Sequence, residues 1–156
     1  MTARARLLLW GPVALLVAYQ FWLSSQSTLP SPGFEFPHLD KLEHAAYFFV
    51  MGLLAFRAAR FGEGWSPRTS LLAVVLGGLL LGILDEFHQS FVPERGAEAL
   101  DIAADTAGAL TAALAGDGLL RASGLDRVKR CGPPGLTRAA LPKIIRGSPS
   151  WGVVQR

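Results

Sequence analysis

Residues 71–89 read LLAVVLGGLLLGILDEFHQ, an apolar run that closes on a dense group of polar side chains. Its length matches the roughly 20 residues that a helix needs to cross the hydrocarbon core of a bilayer. The closing residues include Asp85, Glu86, His88 and Gln89. Because ionisable groups are costly at membrane depth, they indicate a functional site where this helix leaves the bilayer.

The whole chain has the composition of a membrane protein. Of its 156 residues, 51% are hydrophobic and 17% are charged, and the mean hydropathy is +0.34. Four segments approach the length of a membrane span: Leu7–Leu23, His44–Arg60, Ser70–Leu84 with an extension to Gln89, and Leu100–Leu120. No small-x-small cleavage site follows the first segment, which favours a span over a secretory signal. The sequence predicts an all-α integral membrane bundle of four transmembrane helices.

The chain changes character after the fourth apolar segment. We predict a transmembrane domain over residues 1–116 and a basic, Pro/Gly-rich cytoplasmic tail over residues 117–156, either disordered or lying at the membrane interface. The single cysteine, Cys131, lies in this tail, so one chain cannot form a disulfide within itself. The net charge of +3 is explained by a basic tail beside anionic lipid, and we expect no nucleic-acid partner.

The basic residues predict the orientation of the bundle, because Lys and Arg favour cytoplasmic loops. They precede the first span, separate the second from the third and follow the fourth: Arg4, Arg6, Arg57, Arg60, Arg68, Arg121, Arg127, Lys129 and Arg130. Only Lys41 and Arg95 fall in the other two loops. Both termini are therefore expected in the cytoplasm, in a multi-pass protein of the cytoplasmic membrane. The polar groups are expected on the extracytoplasmic side.

Two further polar groups belong to the same predicted end. The second apolar segment opens with Asp40-Lys41-Leu42-Glu43-His44, and the fourth opens with Asp101 and Asp105. Asp40 and Asp101 suit helix N-caps as well as a site. Asp105 lies a turn deeper, so it needs a partner such as Arg95, Lys41 or a histidine.

Small residues predict how the helices approach one another. Gly78 and Gly82 share a helix face with Asp85 and Gln89, and this spacing of small residues lets helices pack closely. The fourth segment repeats the pattern at Ala104, Gly108, Ala112 and Gly116.

These residue types suggest acid–base chemistry or ligand binding. The candidate catalytic residues are Glu86, Asp85, His44 and His88. The candidate ligand-binding residues are Arg95, Gln89, Lys41, Asp101 and Asp105, with the Arg95 guanidinium suited to a phosphate or carboxylate. Structural histidines and an internal salt bridge from Arg95 to Asp101 or Glu86 are equally open readings. No recognised zinc signature occurs, and we expect neither a metal nor a cofactor.

Several motifs in order resemble the VanZ-like membrane proteins. They are Ser24-Ser25-Gln26, Asp40-Lys41-Leu42-Glu43-His44-Ala45-Ala46-Tyr47, Asp85-Glu86-Phe87-His88-Gln89-Ser90-Phe91-Val92-Pro93-Glu94-Arg95 and Asp101-Ile102-Ala103-Ala104-Asp105-Thr106-Ala107-Gly108. The resemblance covers roughly residues 5–116. This chain has Glu94 where the family commonly has glycine, and Asp105 where it often has asparagine.

The resemblance implies a function in the cell envelope, since the name-giving member is associated with teicoplanin resistance. The partners expected on this basis are membrane lipids and a lipid-linked cell-wall intermediate or glycopeptide, with a homo-oligomer also open. Two other classes compete with this reading. One is a non-catalytic bundle that alters drug access or partner assembly, and the other is a small proton-coupled transporter.

Overall fold

The computed structural model describes residues 2–28 and 37–122. Within these ranges the chain is helical and contains no strand. The helices are α1 (Ala3–Ser24), α2 (Leu39–Arg57), α3 (Pro67–Gln89) and α4 (Ala99–Ala122), and a short π-helix, Ala58–Gly62, continues α2. The predicted all-α fold is confirmed. The predicted disordered or interfacial tail lies outside the described residues, apart from the last turns of α4.

Successive helices run in opposite directions. Ser24, at the end of α1, bonds to Asp85 near the end of α3, and Lys41, at the start of α2, contacts Asp101 at the start of α4. Trp10 of α1 contacts Glu63, which follows the π-helix, at the other end. The two ends of the described chain, residues 2 and 122, therefore lie at one end of the bundle. We call the opposite end, where α1 and α3 finish and α2 and α4 begin, the polar end.

Helix α4 packs between α2 and α3 through small residues. A Cβ atom added at Gly108 would collide with the backbone of Ala45 on α2, and one added at Gly52 would lie 2.8 Å from the Cβ of Ala112. On the other side, a Cβ at Gly82 of α3 would lie 2.8 Å from Asp105 Oδ2. Missing side chains thus let three helix backbones approach closely, as the predicted glycine stripes indicated.

Helix α1 packs more loosely against the rest of the bundle. Only Ser24 is buried in α1, and its apolar side chains face outward along most of its length, among them Leu7, Leu8 and Leu15. A cavity of about 170 Å³ separates α1 from α2 and α3, with Trp10, Met51, Val74 and Gly77 in its apolar wall. Outward-facing apolar residues are the pattern that a bilayer requires.

Three helical segments are long and apolar enough to cross a membrane: Ala3–Ser24, Leu39–Gly62 and Pro67–Gln89. Helix α4 has 24 residues, but Asp101, Asp105, Asp117 and Arg121 lie within it and many of its other residues are alanine or glycine. Those features lower its hydropathy, so by composition α4 is a weaker candidate for a span than the other three helices.

Local sequence explains where α3 begins, and the start of α2 corrects an expectation. Ser66 caps α3 by accepting a hydrogen bond from the Thr69 backbone N–H, and Pro67 occupies the first helical position. Helix α2 instead begins at Leu39 after His38, which has a left-handed φ of 61° and no side-chain cap. Asp40 lies in the first turn and bonds to Lys41 rather than serving as the N-cap.

Candidate functional site

Asp85 lies at the centre of the polar end and is fully buried, with 0% of its surface exposed. Its Oδ1 accepts a hydrogen bond from Ser24 Oγ at 2.5 Å. Its Oδ2 accepts from Gln20 Nε2 at 2.9 Å and from Gln89 Nε2 at 3.0 Å. Three donors from α1 and α3 therefore compensate for the loss of water around this carboxylate.

Asp105 and His44 form a second polar pair between α4 and α2. Asp105 is 0% exposed, and its Oδ1 lies 3.0 Å from Nδ1 of His44. Because a carboxylate oxygen accepts, the Nδ1 atom carries the proton in this hydrogen bond. The other oxygen, Oδ2, has no hydrogen-bond partner among the described residues. The histidine partner expected for Asp105 is thus present in the structure.

Glu86 is buried beside these two groups, with 2% of its surface exposed. Its Oε2 accepts a hydrogen bond from the backbone N–H of Glu98 at 2.6 Å, which ties the end of α3 to the loop before α4. Within the described ranges its Oε1 has no hydrogen-bond partner. A buried oxygen without a hydrogen-bond donor destabilises the fold, and a proton or a bound cation on this oxygen would remove that cost.

Lys41 has a different environment from the one expected of a ligand-binding residue. Its Nζ contacts Asp40 at 2.7 Å, Glu98 at 2.5 Å and Asp101 at 2.8 Å. Only 16% of its side chain is exposed. Lys41 and Asp101 therefore join α2 to α4, and their role in ligand binding stays a prediction.

Arg95 lines an open cavity of about 130 Å³ at the polar end. His44, Gln20, Gln89 and Tyr47 line the same cavity. The guanidinium Nε donates to the Gln26 backbone carbonyl at 3.2 Å. Among the described residues no ion pair joins Arg95 to Asp101 or Glu86, the internal partners that the sequence left open.

The two cavity-lining acids also shape the site. Asp40 and Glu43 are exposed at its rim, and Asp40 is bonded to Lys41. On the helix α1 side, Tyr47 donates its hydroxyl to the Leu16 carbonyl at 2.5 Å. The cavity thus combines one guanidinium, one imidazole and two carboxylates, so it presents groups of both charges to a ligand.

The structure also gives the surroundings of the remaining candidate, and its role stays a prediction. His88, a candidate catalytic residue, faces α1, where its Nε2 lies 3.0 Å from Ser25 Oγ and its ring contacts Phe21 edge-on. Gln20 and Ser24, which bond to Asp85, were not among the candidate site residues, although Ser24 belongs to a family-like motif and two polar residues four apart in an apolar helix are a visible signal. Glu98 was also missed, and no local pattern marks it.

The loop between α3 and α4 contains an unusual backbone conformation. Glu94 has a positive φ of 64°, in the left-handed region that favours glycine. This is the position at which the VanZ-like pattern commonly has glycine. The backbone at this position therefore has a conformation that suits glycine, although the residue is Glu94. Arg95 follows directly after this strained residue.

The family model described as VanZ/LLP1 matches residues 6–118, from α1 into the last turns of α4. The chain belongs to the VanZ/LLP1 family. No curated protein and no solved structure matches it. The match includes every residue of the polar end described above, so the buried carboxylates of this VanZ-family protein lie within its family domain.

The polar end of this VanZ-family chain offers two kinds of chemistry. His44, with Asp105 behind it, has the arrangement of an oriented general base, and Glu86 has an oxygen able to hold a proton. His44, Asp85 and Glu86 also place donor atoms close enough to share a cation. Arg95 and His44 line the same open cavity.

Proposed function

We propose that this VanZ-family protein acts on the cell envelope by binding the phosphate-bearing headgroup of a membrane amphiphile at its polar end. The observation that carries the proposal is the open cavity in which Arg95 and His44 meet two amide side chains, Gln20 and Gln89. Phospholipids and lipid-linked cell-wall intermediates both present such a headgroup at a membrane surface. Guanidinium groups bind phosphate through paired hydrogen bonds.

The proposal includes a membrane topology. All four helices span the cytoplasmic membrane, both termini lie in the cytoplasm, and the polar end faces outward. The distribution of basic residues supports this orientation, since Arg57, Arg60 and Arg68 lie between α2 and α3 at the end opposite the polar end. Because α4 packs against α2 and α3 along most of its length, it follows them through the bilayer.

Two features of the bundle support an amphiphile over a transported solute. The buried carboxylates of the described residues, Asp85, Glu86, Asp101 and Asp105, all lie at the polar end. A carrier usually has its site near the middle of the membrane. The apolar cavity beside α1 lies on the membrane side of the polar cavity, where the tail of an amphiphile would extend.

A non-catalytic bundle is the second candidate function. It is favoured by buried charged groups whose hydrogen bonds and ion pairs are all made within the protein. Asp85 has three donors, and Lys41 has three carboxylates, so both hold helices together without requiring a substrate. Glu86→Gln tests whether this bundle uses proton transfer. The change removes a proton-transfer group with little change in shape, so a bundle that acts without catalysis would keep its activity in the envelope.

Headgroup binding is tested with the full-length protein in nanodiscs and a fluorescent short-chain phosphatidic acid. We expect Arg95→Gln to weaken binding by about 10- to 100-fold, because a charge-assisted contact to phosphate is worth about 1.5–3 kcal/mol. Arg68→Gln is the matched control, since Arg68 is exposed at the other end. Equal affinities for the parent and Arg95→Gln would contradict the proposal.

Envelope action is tested in a glycopeptide-sensitive host that produces the same variants at equal membrane abundance. We expect the parent to lower teicoplanin susceptibility and Arg95→Gln to lose this protection, while Arg68→Gln keeps it. If Arg95→Gln still protected the host, resistance would not depend on the polar cavity.

A further inference from the structure

We infer that His44, Asp85 and Glu86 form a binding site for one divalent transition-metal ion. One ring nitrogen of His44 and one carboxylate oxygen from each acid lie within 4.8 Å of one another. Ligand atoms around a common ion with bonds of about 2.0–2.2 Å lie up to about 4.4 Å apart. Side-chain rotation would bring the three donors to the spacing that a common ion needs, contrary to the expectation from sequence.

Glu86 supplies the observation that points to a ligand. It is 2% exposed, its Oε2 is bonded to the Glu98 backbone N–H, and its Oε1 has no hydrogen-bond partner within the described ranges. A buried carboxylate oxygen is retained without a donor when something else satisfies it. A cation bound by Glu86 and its two neighbours would do so.

His44 is already oriented as a metal ligand. Its Nδ1 lies 3.0 Å from Asp105 Oδ1, and in the neutral ring that donates through Nδ1 the lone pair is on Nε2. Metal-binding histidines commonly donate their second ring N–H to a carboxylate in this way, which fixes the tautomer and raises the basicity of the ligating nitrogen. Asp105 would thus act as a positioning residue and not as a ligand.

The balance of charge favours a cation at this point. Asp85, Glu86 and Asp105 are buried together, and His44 is the basic side chain that contacts Asp105. Lys41 is engaged elsewhere, by Asp40, Glu98 and Asp101. Those three acids are also close enough to share an ion, but the ammonium of Lys41 already contacts all three of them. The acids around Lys41 therefore have an ammonium among them, whereas Asp85 and Glu86 have none among the described residues.

The donor set suggests the kind of ion. One imidazole and two carboxylates suit Zn²⁺ or Mn²⁺ better than the all-oxygen sites that Ca²⁺ and Mg²⁺ prefer. Three protein ligands would leave a coordination position open, as in catalytic zinc sites. His44 also lines the cavity that contains Arg95, so, resting on the proposed function, the open position would accept a phosphate oxygen of the headgroup.

The test is Zn²⁺ binding to the purified full-length protein in detergent, without added lipid. Equilibrium dialysis at pH 7 followed by elemental analysis gives the number of ions per chain and their affinity. We expect one ion per chain, a loss of at least tenfold in affinity for Glu86→Gln and His44→Gln, and a 10- to 100-fold loss for Asp105→Asn. His38→Asn and Glu94→Gln are controls that remove an imidazole and a carboxylate outside the site.

Folding and lipid binding are controlled separately. Monodisperse elution and helical circular dichroism identify the variants that fold, and Zn²⁺ should raise the melting temperature of the parent but not that of Glu86→Gln. Unchanged Zn²⁺ binding in Glu86→Gln and His44→Gln, or no Zn²⁺ bound by the folded parent, would overturn the inference. Because lipid is absent, Zn²⁺ binding without phosphatidic acid binding would contradict only the proposed function.

Discussion

Asp85 and Glu86 are neighbours in the sequence, but their side chains meet different surroundings. Asp85 receives three hydrogen bonds from Ser24, Gln20 and Gln89, whereas one oxygen of Glu86 receives none from the described residues. A saturated carboxylate stabilises the bundle, and an unsaturated one costs stability unless it has another role. The three hydrogen bonds would hold the Asp85 carboxylate in place within the proposed metal site, whereas Glu86 has an oxygen that the described residues leave free to bind the ion.

Glu94 provides a prediction at the same scale, because its φ of 64° strains any residue except glycine. We expect Glu94→Gly to raise the free energy of unfolding by about 0.5–1 kcal/mol, after allowance for the greater freedom of glycine in the unfolded chain. Glu94→Ala is the control, since it removes the charge but keeps the strain. Thermal unfolding in detergent measures both, and equal stabilisation by the two variants would show that charge, not backbone strain, is responsible.

At the scale of helices, α4 is the element that organises the bundle. Its residues Asp101, Asp105, Gly108 and Ala112 contact α2 and α3 at successive levels from the polar end inward. Close approach at the small residues brings the acids of α4 within reach of Lys41 and His44. Packing in the apolar part of the bundle therefore sets the geometry of the site.

The close approach of α2 and α4 is tested at Gly108. A Cβ atom there would collide with the Ala45 backbone carbonyl, which cannot move without shifting α2. We expect Gly108→Ala to lower stability by about 1–3 kcal/mol, the usual cost of overpacking. Gly77→Ala is the matched control, since no atom lies within 4 Å of the added Cβ and alanine favours the helix.

Unfolding of both variants in a mixed detergent and denaturant series gives the comparison. A Gly108→Ala protein as stable as Gly77→Ala would mean that α2 and α4 do not pack through these residues. Zn²⁺ affinity measured on the same samples should also fall in Gly108→Ala, because a displaced α2 carries His44 away from Asp85 and Glu86.

For the whole molecule, alternating helix directions bring both ends of the described chain to the end opposite the polar site. The proposed topology then has the site outside the cell and the basic loop inside. Cysteines at Ser27 and Arg68, both exposed and on opposite ends, test this in a Cys131→Ser background. Ser27→Cys should react with a membrane-impermeant maleimide on intact cells, and Arg68→Cys only after permeabilisation. The reverse pattern would invert the orientation.

The sequence by itself determined the all-helical fold, the approximate position of each helix and the gathering of polar residues at one end. These features follow from hydropathy, helix length and the spacing of small residues, which are properties of short segments. Helix ends shifted by a few residues: α2 begins at Leu39, after His38, whereas the sequence offered Asp40 as its N-cap.

Only the tertiary structure decided which polar groups are partners. It paired Asp105 with His44 and Asp101 with Lys41, and it brought Gln20 and Ser24 of α1 onto Asp85. Contacts of this kind depend on the rotation and relative height of two helices far apart in the chain. The packing of Gly82 and Gly108 against their neighbours sets the rotation and the height of these helices. The sequence of one helix alone does not specify that arrangement.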